Sequence, residues 1–287
     1  MHGINLRRSP KTFNTLISII IPHFNTPGLL NVCIERIQSA GAGTSGGLQH
    51  EIIVVDDCSV STPPVPDGVR LEVHAKNRGF AASCNTGARS SRGDYLIFLN
   101  TDIEVGRDFF SGLKLSGVDI GGFRIEDCKG ERQYSCRRFP GFMNFLFHRG
   151  SILTALFPGN RFSTRYLIED GQCEEAEWVS GAAMAVSRDV YNVLHGFDEQ
   201  FFLYFEDVDF CRRAHDMGFS ITYMDHITVT HGCSGTTSRF VRKAVLARHV
   251  SMWRYYKKHM RRSRVTDIAV MPAIMIRGLF MWLAGVN

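Results

Sequence analysis

The stretch "DYLIFLNTDIEV", Asp94 to Val105, decides the fold, because it places polar residues where a core strand ends. Its apolar run at 95–99 is typical of a strand that is buried on both faces. The run then gives way to Asn100, Thr101 and Asp102. Open α/β sheets bind their ligands outside the carboxyl ends of the strands, so these three residues are candidates for a binding site.

Short apolar runs alternate with helical patterns through the first half of the chain. The runs that predict strands are 16–21, 51–55, 70–74 and 95–99, and the patterns that predict helices lie near 27–40, 80–91 and 107–116. This alternation predicts right-handed βαβ crossovers and a parallel sheet. Later segments predict a strand at 178–187, a helix from about Glu206 and a strand at 221–231, so the expected sheet is mixed but mainly parallel.

The composition is that of an ordinary globular chain, with 287 residues, of which 44% are hydrophobic and 21% are charged. This length suits one large domain with an appendage. The eight cysteines form no CxxC pair, and we interpret them as the reduced thiols of a cytoplasmic protein. The apolar run at 16–21 is too short for the core of a signal peptide.

Residues 41–46, "GAGTSG", match the G-x-G-x-x-G pattern of dinucleotide-binding loops. That motif requires a strand before it and the start of a helix after it. Here a predicted helix precedes the glycines and a predicted strand follows them. We therefore interpret 41–46 as a flexible surface loop.

Asp56 and Asp57 end the run "EIIVVDD". Either residue alone has an ordinary explanation, since aspartate readily caps a following turn. Two adjacent acids, however, leave one carboxylate free to accept hydrogen bonds from a ligand. The N3–H group of uracil or thymine and the hydroxyl groups of ribose are suitable donors. Both interpretations remain open at this point.

Asp102 is the candidate metal ligand. A diphosphate leaving group must be neutralised, and a hard divalent cation held by carboxylate and phosphate oxygens does this. The alternative is that Asp102 caps the helix predicted near 107, but it lies several residues too early for that role. His231, which ends the run "HITVTH", is a candidate second ligand for Mg²⁺ or Mn²⁺.

Asp207 is the candidate catalytic base. If a helix begins near Glu206, Asp207 shares its inward face with the residues three, four and seven positions later, which are all apolar. Asp209 then falls on the opposite side, where we expect a structural or solvated acid. The helix dipole also favours carboxylates in a first turn, which is the ordinary explanation for the Glu206–Asp207 pair.

Three further residues are candidates for substrate contacts. Trp178 has an indole that suits stacking on a sugar ring, although a core position explains it equally well. Arg137 and Arg138, in the loop "CRRFPGF" at 136–142, suit contacts with the diphosphate of a donor or of a lipid-linked acceptor. A solvated loop is the default explanation for both arginines.

Together these residues resemble an inverting family-2 glycosyltransferase with a GT-A (nucleotide-diphospho-sugar transferase) fold, most of all its bacterial rhamnosyltransferase-type members. The resemblance covers about 16–235 and rests on the order and spacing of several segments rather than on any one of them. These are "SIIIPHFN", "EIIVVDDCS", "NRGFAASCNTGARSSRGDYLIFLNTD", "VSGAAMAVSRDVY" and "GFDEQFFLYFEDVDFCRRAHDMGF".

The resemblance implies roles by position. Asp102 becomes the last acid of a DxD-like motif, His231 a contact of metal or diphosphate, and Asp207 the catalytic base. Asn100 stands where such a motif has its first acid, which leaves one carboxylate for the metal. The implied nucleotide-binding residues are Pro22, Phe24, Asn25, Asp56, Asp57, Asn77, Arg78, Gly79, Asn100 and Thr101. The implied contacts of acceptor or diphosphate are Trp178, Gly181, Glu206, Arg137 and Arg138.

The resemblance also implies a reaction. A sugar, with rhamnose favoured, would pass with inversion from dTDP-rhamnose or a UDP-sugar to a hydroxyl of a glycan or polyprenyl-linked acceptor. Mg²⁺ or Mn²⁺ would be the cofactor. The implied setting is the synthesis of a surface polysaccharide such as O-antigen, by a protein attached to the cytoplasmic face of the cell membrane.

The carboxyl-terminal segment, 236–287, is predicted to associate with an anionic membrane surface through basic, amphipathic and apolar helices. Ten Lys or Arg and no acid lie between Arg239 and Arg264. The apolar run that follows is interrupted by Arg277, whose charge is costly inside a bilayer, so we expect interfacial attachment rather than a membrane span. The preceding 1–235 is the predicted catalytic domain, with a nucleotide-binding half at 14–117 and an acceptor half at 118–235.

Three other classes fit the sequence less well. A catalytically weak or inactive nucleotide- or glycan-binding module is the main alternative, because Asn100 replaces the first acid. A nucleic-acid-binding protein would use the basic stretch, but no RNA or DNA motif accompanies it. A sugar-phosphate nucleotidyltransferase needs a glycine-rich loop after the first strand, and "PHFNTPG" is not one.

Overall fold

A sheet of nine strands forms the centre of the protein. The structure, a computed structural model, describes residues 15–42, 48–141, 157, 176–232 and 241–284. The strands are β1 (Leu16–His23), β2 (Gln49–Asp56), β3 (Val69–Val73), β4 (Tyr95–Leu99), β5 (Ile103–Val105), β6 (Ile120–Glu126), β7 (Arg132–Gln133), β8 (Cys136–Arg137), β9 (Trp178–Val179), β10 (Ala183–Ser187) and β11 (Ile221–His231). The helices are α1 (Pro27–Ala42), α2 (Phe80–Ser90), α3 (Phe109–Gly112), α4 (Arg188–Val193), α5 (Glu206–Asp216), α6 (Val241–Tyr255) and α7 (Arg264–Ala284), with a π-helical segment at Tyr256–Met260.

The strand order is β3-β2-β1-β4-β10-β6-β11-β5, with β7 paired to β6. Strands β3, β2, β1 and β4 are parallel, as their apolar runs predicted. Strand β10 runs antiparallel to both β4 and β6, while β11 is parallel to β6 and antiparallel to β5. The predicted mixed α/β sheet is therefore confirmed, and the carboxyl ends of β1, β2 and β4 meet at one edge.

The sheet is covered by apolar layers on both faces because alternate strand residues point in opposite directions. In β1, Ile19 and Ile21 pack with Leu30 of α1, whereas Ile20 packs on the other side with Phe98 and helix α2. These side chains are fully buried. Burial of each contributes roughly 1.5–3 kcal/mol to folding, so β1 is firmly held at the centre of the sheet.

Two predicted elements differ from the observed ones. The helix expected at 107–116 is confined to Phe109–Gly112, because the backbone becomes extended at Leu113 and turns at Gly117, whose φ is 80°. The strand expected at 178–187 is split by a turn at 180–182 into β9 and β10.

Of the glycine-rich loop expected at 41–46, only Gly41 and Ala42 are described, and they end α1; residues 43–47 lie outside the described residues.

Helix α6 shares the core of the preceding domain. Its Met252 and Tyr255, with Tyr256 just after it, are buried in the same cluster as Phe201 and Phe210. The predicted boundary at 235/236 therefore separates segments that pack against each other.

Helix α7 contributes Val270 and Ile274 to this core and exposes its outer face. On that face Ile268, Ile276 and Leu283 are 74%, 68% and 67% exposed. Among the described residues, α7 is the one helix whose length and composition would allow a membrane span, from Arg264 to Leu283, with a mean hydropathy of 1.5. It thus presents several exposed apolar side chains on the side that faces away from the core.

Candidate active site

The ends of β1 and β2 are joined by a buried histidine–aspartate pair. Parallel pairing sets His23 beside Asp56, and the His23 Nδ1 atom donates to Asp56 Oδ1 at 2.8 Å. The Ser59 hydroxyl donates to the same oxygen at 2.5 Å, and the Ser59 backbone N–H donates to Oδ2 at 3.2 Å. Asp56, only 1% exposed, therefore fixes the turn that follows β2.

The loop after β1 packs against this turn through Asn25. Its backbone N–H donates to Ser59 Oγ at 2.8 Å, and its Oδ1 atom accepts from the Val60 N–H at 2.9 Å. Asn25 has φ of 56°, a left-handed conformation that asparagine tolerates better than most residues. Beside it Phe24 is 39% exposed, while Pro22 lies within β1. The loop is thus rigidly held and presents an aromatic ring at the sheet edge.

Asp57 organises the loop that follows β3. Its Oδ1 atom accepts from His74 Nδ1 at 2.7 Å and from the Arg78 N–H at 2.8 Å, and its Oδ2 atom accepts from the Gly79 N–H at 2.7 Å. The φ of Gly79 is 89°, and an added Cβ would lie 2.2 Å from the carbonyl oxygen of Phe202. Because of this clash and the positive φ, no larger residue fits at this position, which is also the N-cap of α2.

The side chains of this loop face outward. Asn77 is exposed, and the Arg78 guanidinium pairs with Glu199 at 2.8 Å. Neither Asp56 nor Asp57 is the unengaged acceptor that the adjacent acids suggested, because both carboxylates already accept protein hydrogen bonds. Their contact with a nucleoside remains a prediction, and their visible role is to shape the loops at 58–60 and 75–79.

Sequence reasoning missed the two histidines of this network. His23 and His74 each follow a strand run directly, in "PHFN" and "EVH", at the same sheet edge as the acids. Each ring is also held from its far side: His23 Nε2 accepts from the Thr26 N–H at 3.1 Å, and the Thr86 hydroxyl lies 2.9 Å from His74 Nε2. The sequence alone does not give the register in which β1 and β3 pair with β2, and this register is what sets each histidine beside its aspartate.

Asp102 and His231 lie together, as expected for a shared metal site. Strand β11 pairs antiparallel with β5 so that His231 is opposite Ile103, the residue after Asp102. The His231 Nε2 atom is 3.4 Å from Asp102 Oδ1, and its Nδ1 atom is 2.7 Å from Gln133 Oε1. A hydrogen bond from Nδ1 to Gln133 leaves the lone pair of Nε2 directed at the carboxylate, an arrangement that a cation would stabilise.

The donor set fits a divalent cation that is completed by substrate. Within the described residues, no three His, Cys, Asp or Glu side chains come together to hold a metal. Mg²⁺ and similar ions are commonly bound through one or two protein ligands, with phosphate oxygens and waters completing the shell. The carboxylate of Asp102, just after β4, and the imidazole of His231, at the end of β11, satisfy this pattern.

The proposed base, Asp207, is the second residue of helix α5 and is partly buried. Its Oδ2 atom accepts from the Gly181 N–H at 2.9 Å, and its Oδ1 atom accepts from the Val208 N–H at 2.8 Å. Burial raises the pKa of Asp207, although these hydrogen bonds and the positive charge of Arg137 act in the opposite direction. A raised pKa makes the carboxylate a stronger proton acceptor than an exposed aspartate.

Glu206 differs from its neighbour in lacking a partner for one oxygen. The side chain is 5% exposed, and its Oε2 atom is buried with no hydrogen-bond partner among the described residues. Burial, followed by the negative charge of Asp207, raises the pKa of Glu206 well above its usual value. The two residues before it, Tyr204 and Phe205, have φ of 66° and 67°, so a strained turn presents the acidic pair.

The inward face predicted for α5 is confirmed, since Phe210, Cys211 and Ala214 are fully buried. Asp209, on the other side, is a structural acid rather than a solvated one. It is 0% exposed and accepts from Arg213 Nε at 2.9 Å and from His259 Nε2 at 2.7 Å. The acid on that side is therefore fully neutralised by the protein.

Trp178 does not present a face for sugar stacking. It is 6% exposed within the core, its Nε1–H donates to the Arg138 carbonyl at 2.9 Å, and the Arg137 guanidinium covers its ring at 5.1 Å. Its burial corrects the predicted sugar contact in favour of the core alternative. Arg137 lies close enough to Asp207 to influence its pKa, whereas the side chain of Arg138 is exposed.

The turn at 180–182 joins the two halves of the candidate site. The Asn100 N–H donates to the Ala182 carbonyl at 2.9 Å, and one residue earlier Gly181 donates to Asp207. A Cβ added to Gly181 would lie 3.3 Å from Asp207 Cβ, so glycine permits this close approach. Asn100, two residues before Asp102, and Asp207 therefore border the same turn, although they come from distant parts of the chain.

Comparison with known proteins finds glycosyltransferases of similar sequence. A family model described as glycosyl transferase family 2 matches residues 18–114. The chain is 28% identical over 167 residues to an N-acetylglucosaminyl-diphospho-decaprenol L-rhamnosyltransferase of Mycobacterium tuberculosis, covering 56% of this chain and 54% of that protein. It is 26% identical over 176 residues to the rhamnosyltransferase WbbL of Escherichia coli K12, covering 58% and 63%. The chain thus spans about half the length of the first relative.

A structural comparison extends the likeness beyond the matched segment. The crystal structure of GalNAc-T7 with UDP, GalNAc and Mn²⁺ has a TM-score of 0.57 to this chain at 15% identity. The likeness covers 86% of this chain and 50% of that one. At this identity the comparison bears on the fold, which is of the GT-A type.

Proposed function

We propose that this chain, whose residues 18–114 match the model of glycosyl transferase family 2 and whose fold is of the GT-A type, is a metal-dependent, inverting glycosyltransferase. It transfers a sugar from a nucleoside diphosphate donor to a hydroxyl of a glycan or lipid-linked acceptor. Rhamnose is the favoured sugar, because two relatives bear the name rhamnosyltransferase. The setting that follows from those names is the synthesis of a surface polysaccharide.

The observation that carries this proposal is the position of Asp207. Its carboxylate is anchored by the Gly181 N–H, has a raised pKa, and borders the turn that holds the end of β4. In the proposed reaction it accepts the proton of the acceptor hydroxyl as that oxygen attacks the anomeric carbon. Attack from the face opposite the leaving diphosphate inverts the configuration.

The donor occupies the edge formed by the loops after β1, β2 and β3. The rigid loops at 23–26 and 75–79 position the nucleoside, with Phe24 as an exposed aromatic surface. Asp102 and His231 would hold Mg²⁺ or Mn²⁺, which when bound neutralises the developing charge on the diphosphate. Gln133 keeps the His231 ring oriented toward Asp102.

The acceptor is proposed to be lipid-linked, and the protein to work at a membrane surface. The relative from Mycobacterium tuberculosis is named for a diphospho-decaprenol substrate. The exposed apolar face of α7 and the cations around it suit attachment to the anionic cytoplasmic face of a membrane. This places the active site next to an acceptor that cannot leave the bilayer.

The test is a transfer assay with the purified full chain, dTDP-rhamnose and a polyprenyl-diphosphate-linked N-acetylglucosamine. We expect a rhamnosylated product that is lost on chelation of divalent cations. Asp207→Asn should lower kcat by about 10²–10⁴-fold, the usual contribution of a general base, while dTDP still binds in calorimetry. Asp216→Asn, at the exposed end of the same helix, serves as the control.

Two results would contradict the proposal. Near wild-type turnover in Asp207→Asn would remove this residue from the role of base. Nucleotide binding without transfer to any acceptor or hydrolysis of any donor in a panel of nucleotide sugars would instead favour a nucleotide-binding module.

A further inference from the structure

An apolar groove lies between α6 and α7, outside the candidate active site. Its volume is about 370 Å³, and its lining is almost entirely apolar, with Leu246, Val250 and Trp253 on one side and Met271, Met275 and Leu279 on the other. This volume lies within the range of small-molecule sites. Because most of these rim residues are exposed, the groove is open to an apolar ligand from outside.

Each end of the groove carries an indole next to a cation. The Arg242 guanidinium lies 4.7 Å from the ring centre of Trp282, and Lys257 Nζ lies 5.7 Å from that of Trp253. The helices are antiparallel, so these pairs lie roughly 16 Å apart along α6 by the helical rise. Indoles and cations prefer the boundary between hydrocarbon and water. An elongated apolar chain with an anionic group matches this pattern.

A cationic cluster, formed by Arg248 and Arg277, lies between the groove and the core of the domain. An Arg277 NH₂ group contacts Met252 Sδ at 3.4 Å, and the ring of His249 lies against Gly278. Arg277 Nε is a buried donor without a hydrogen-bond partner among the described residues, whereas the Nδ1–H of His249 donates to the Val245 carbonyl at 2.7 Å. Burial lowers the pKa of Arg277 to about 10, and the nearby positive charge of Arg248 acts in the same direction. One unsatisfied guanidinium donor and a neighbouring arginine at one place favour binding of a phosphate.

This cationic cluster adjoins the segment that presents the base. The Arg248 guanidinium lies 4.4 Å from the ring centre of Tyr204, and the Ser251 hydroxyl donates to the Leu203 carbonyl at 2.9 Å. Tyr204 is three residues before Asp207. The groove on one side of α6 and the base segment on the other are therefore separated by one helix, about 10 Å across.

We propose that the α6–α7 hairpin binds the lipid of the acceptor, with a polyprenyl chain in the groove and its phosphate at Arg248 and Arg277. This inference rests on the proposed function in taking the acceptor to be lipid-linked. A bilayer phospholipid is the competing occupant, but its acyl chains would not need a cationic cluster on the side of the active site. The chain end that carries the sugar would then face Asp207.

The experiment uses the full chain in detergent micelles and a polyprenyl phosphate with a photoreactive group at the far end of the chain. We expect crosslinks to α6 and α7 that unlabelled polyprenyl phosphate competes away and phosphatidylglycerol at the same mole fraction does not. Met275→Trp, which adds bulk at the groove rim, should reduce labelling several-fold. Ile276→Trp, which adds the same ring to the exposed face outside the groove, should not.

The proposed contact between the lipid phosphate and the arginines is tested with neutral polyprenol as a second probe. The wild type should prefer polyprenyl phosphate over polyprenol several-fold, and Arg248→Gln should remove most of that preference. Equal loss of labelling in Met275→Trp and Ile276→Trp, or equal competition by phosphatidylglycerol, would overturn the proposal. Because binding of the probe needs no sugar donor, absence of transfer with labelling retained would count against the proposed reaction alone.

Discussion

At the scale of single residues, Arg137 influences the pKa of the proposed base, Asp207. Its positive charge lowers the pKa of Asp207, in opposition to burial. A general base works only when deprotonated, so activity falls as the pH drops through that pKa. Removing the charge in Arg137→Gln should raise the pKa further. The acid limb of the profile of kcat against pH should therefore move to higher pH.

The neighbouring arginine offers a matched control. Arg138→Gln removes an exposed charge from the same loop and should leave the acid limb in place. Arg137→Lys keeps the charge and should restore most of the wild-type profile. An unchanged acid limb in Arg137→Gln, measured at saturating donor, would show that Arg137 acts only by packing on Trp178.

At the scale of elements, the sequence predicted those whose pattern is local. Strands β1, β2 and β4 and helices α1, α2 and α5 appear where apolar periodicity placed them, because their buried faces are encoded in consecutive residues. Strand β5 is only three residues long, too short for any periodic signal. It forms because β11 pairs with it, and this long-range pairing is also what brings His231 to Asp102.

The same distinction applies to the site. Asp102, Asp207 and His231 could be named from the chain because each lies at or near the end of a predicted element. The partners of Asp56 and Asp57 could not, since His23 and His74 reach them through the register of neighbouring strands. The role of Trp178 was undecided by its residue type, and only its burial settled it.

The attachment of the π-helical segment to α5 gives a prediction for stability. His259 Nε2 and Lys258 Nζ each lie 2.7 Å from Asp209 Oδ1. Burial raises the pKa of Asp209, but these hydrogen bonds and Arg213 lower it below its usual value on balance. His259→Ala should therefore reduce the free energy of unfolding by about 1.5–3 kcal/mol near neutral pH, the usual contribution of a hydrogen bond to a charged group.

The pH dependence of that loss follows from the sign of the shift. A carboxylate with a lowered pKa stabilises the fold above its unfolded pKa and loses this contribution as the pH falls through its folded pKa. The difference between wild type and His259→Ala should therefore shrink in acid, as measured by chemical denaturation at several pH values. Lys257→Ala, an exposed neighbour in the same segment, should change stability by less than about 0.5 kcal/mol. If the loss of unfolding free energy in His259→Ala stayed constant at acidic pH, the hydrogen bond to Asp209 would not be its cause.

At the scale of the whole molecule, the proposed membrane attachment and the folding of the domain depend on different faces of the α6–α7 hairpin. The inner face places Met252, Tyr255 and Tyr256 in the catalytic core. Loss of each such buried side chain costs roughly 2–5 kcal/mol, and a domain has only about 5–15 kcal/mol in total. Deleting residues from 241 onward should therefore yield an aggregated protein rather than a soluble enzyme.

Substitution of the outer face alone separates the two properties. The triple variant Ile268→Gln, Ile276→Gln and Leu283→Gln changes exposed residues that line neither the core nor the groove. Because it removes apolar surface without opening a cavity, it should move most of the protein from the membrane to the soluble fraction with a nearly unchanged Tm. Transfer to a water-soluble, short-chain acceptor should persist. If the variant stays on the membrane while remaining folded, attachment does not depend on the apolar face of α7, and the cations of α6 become the remaining candidate.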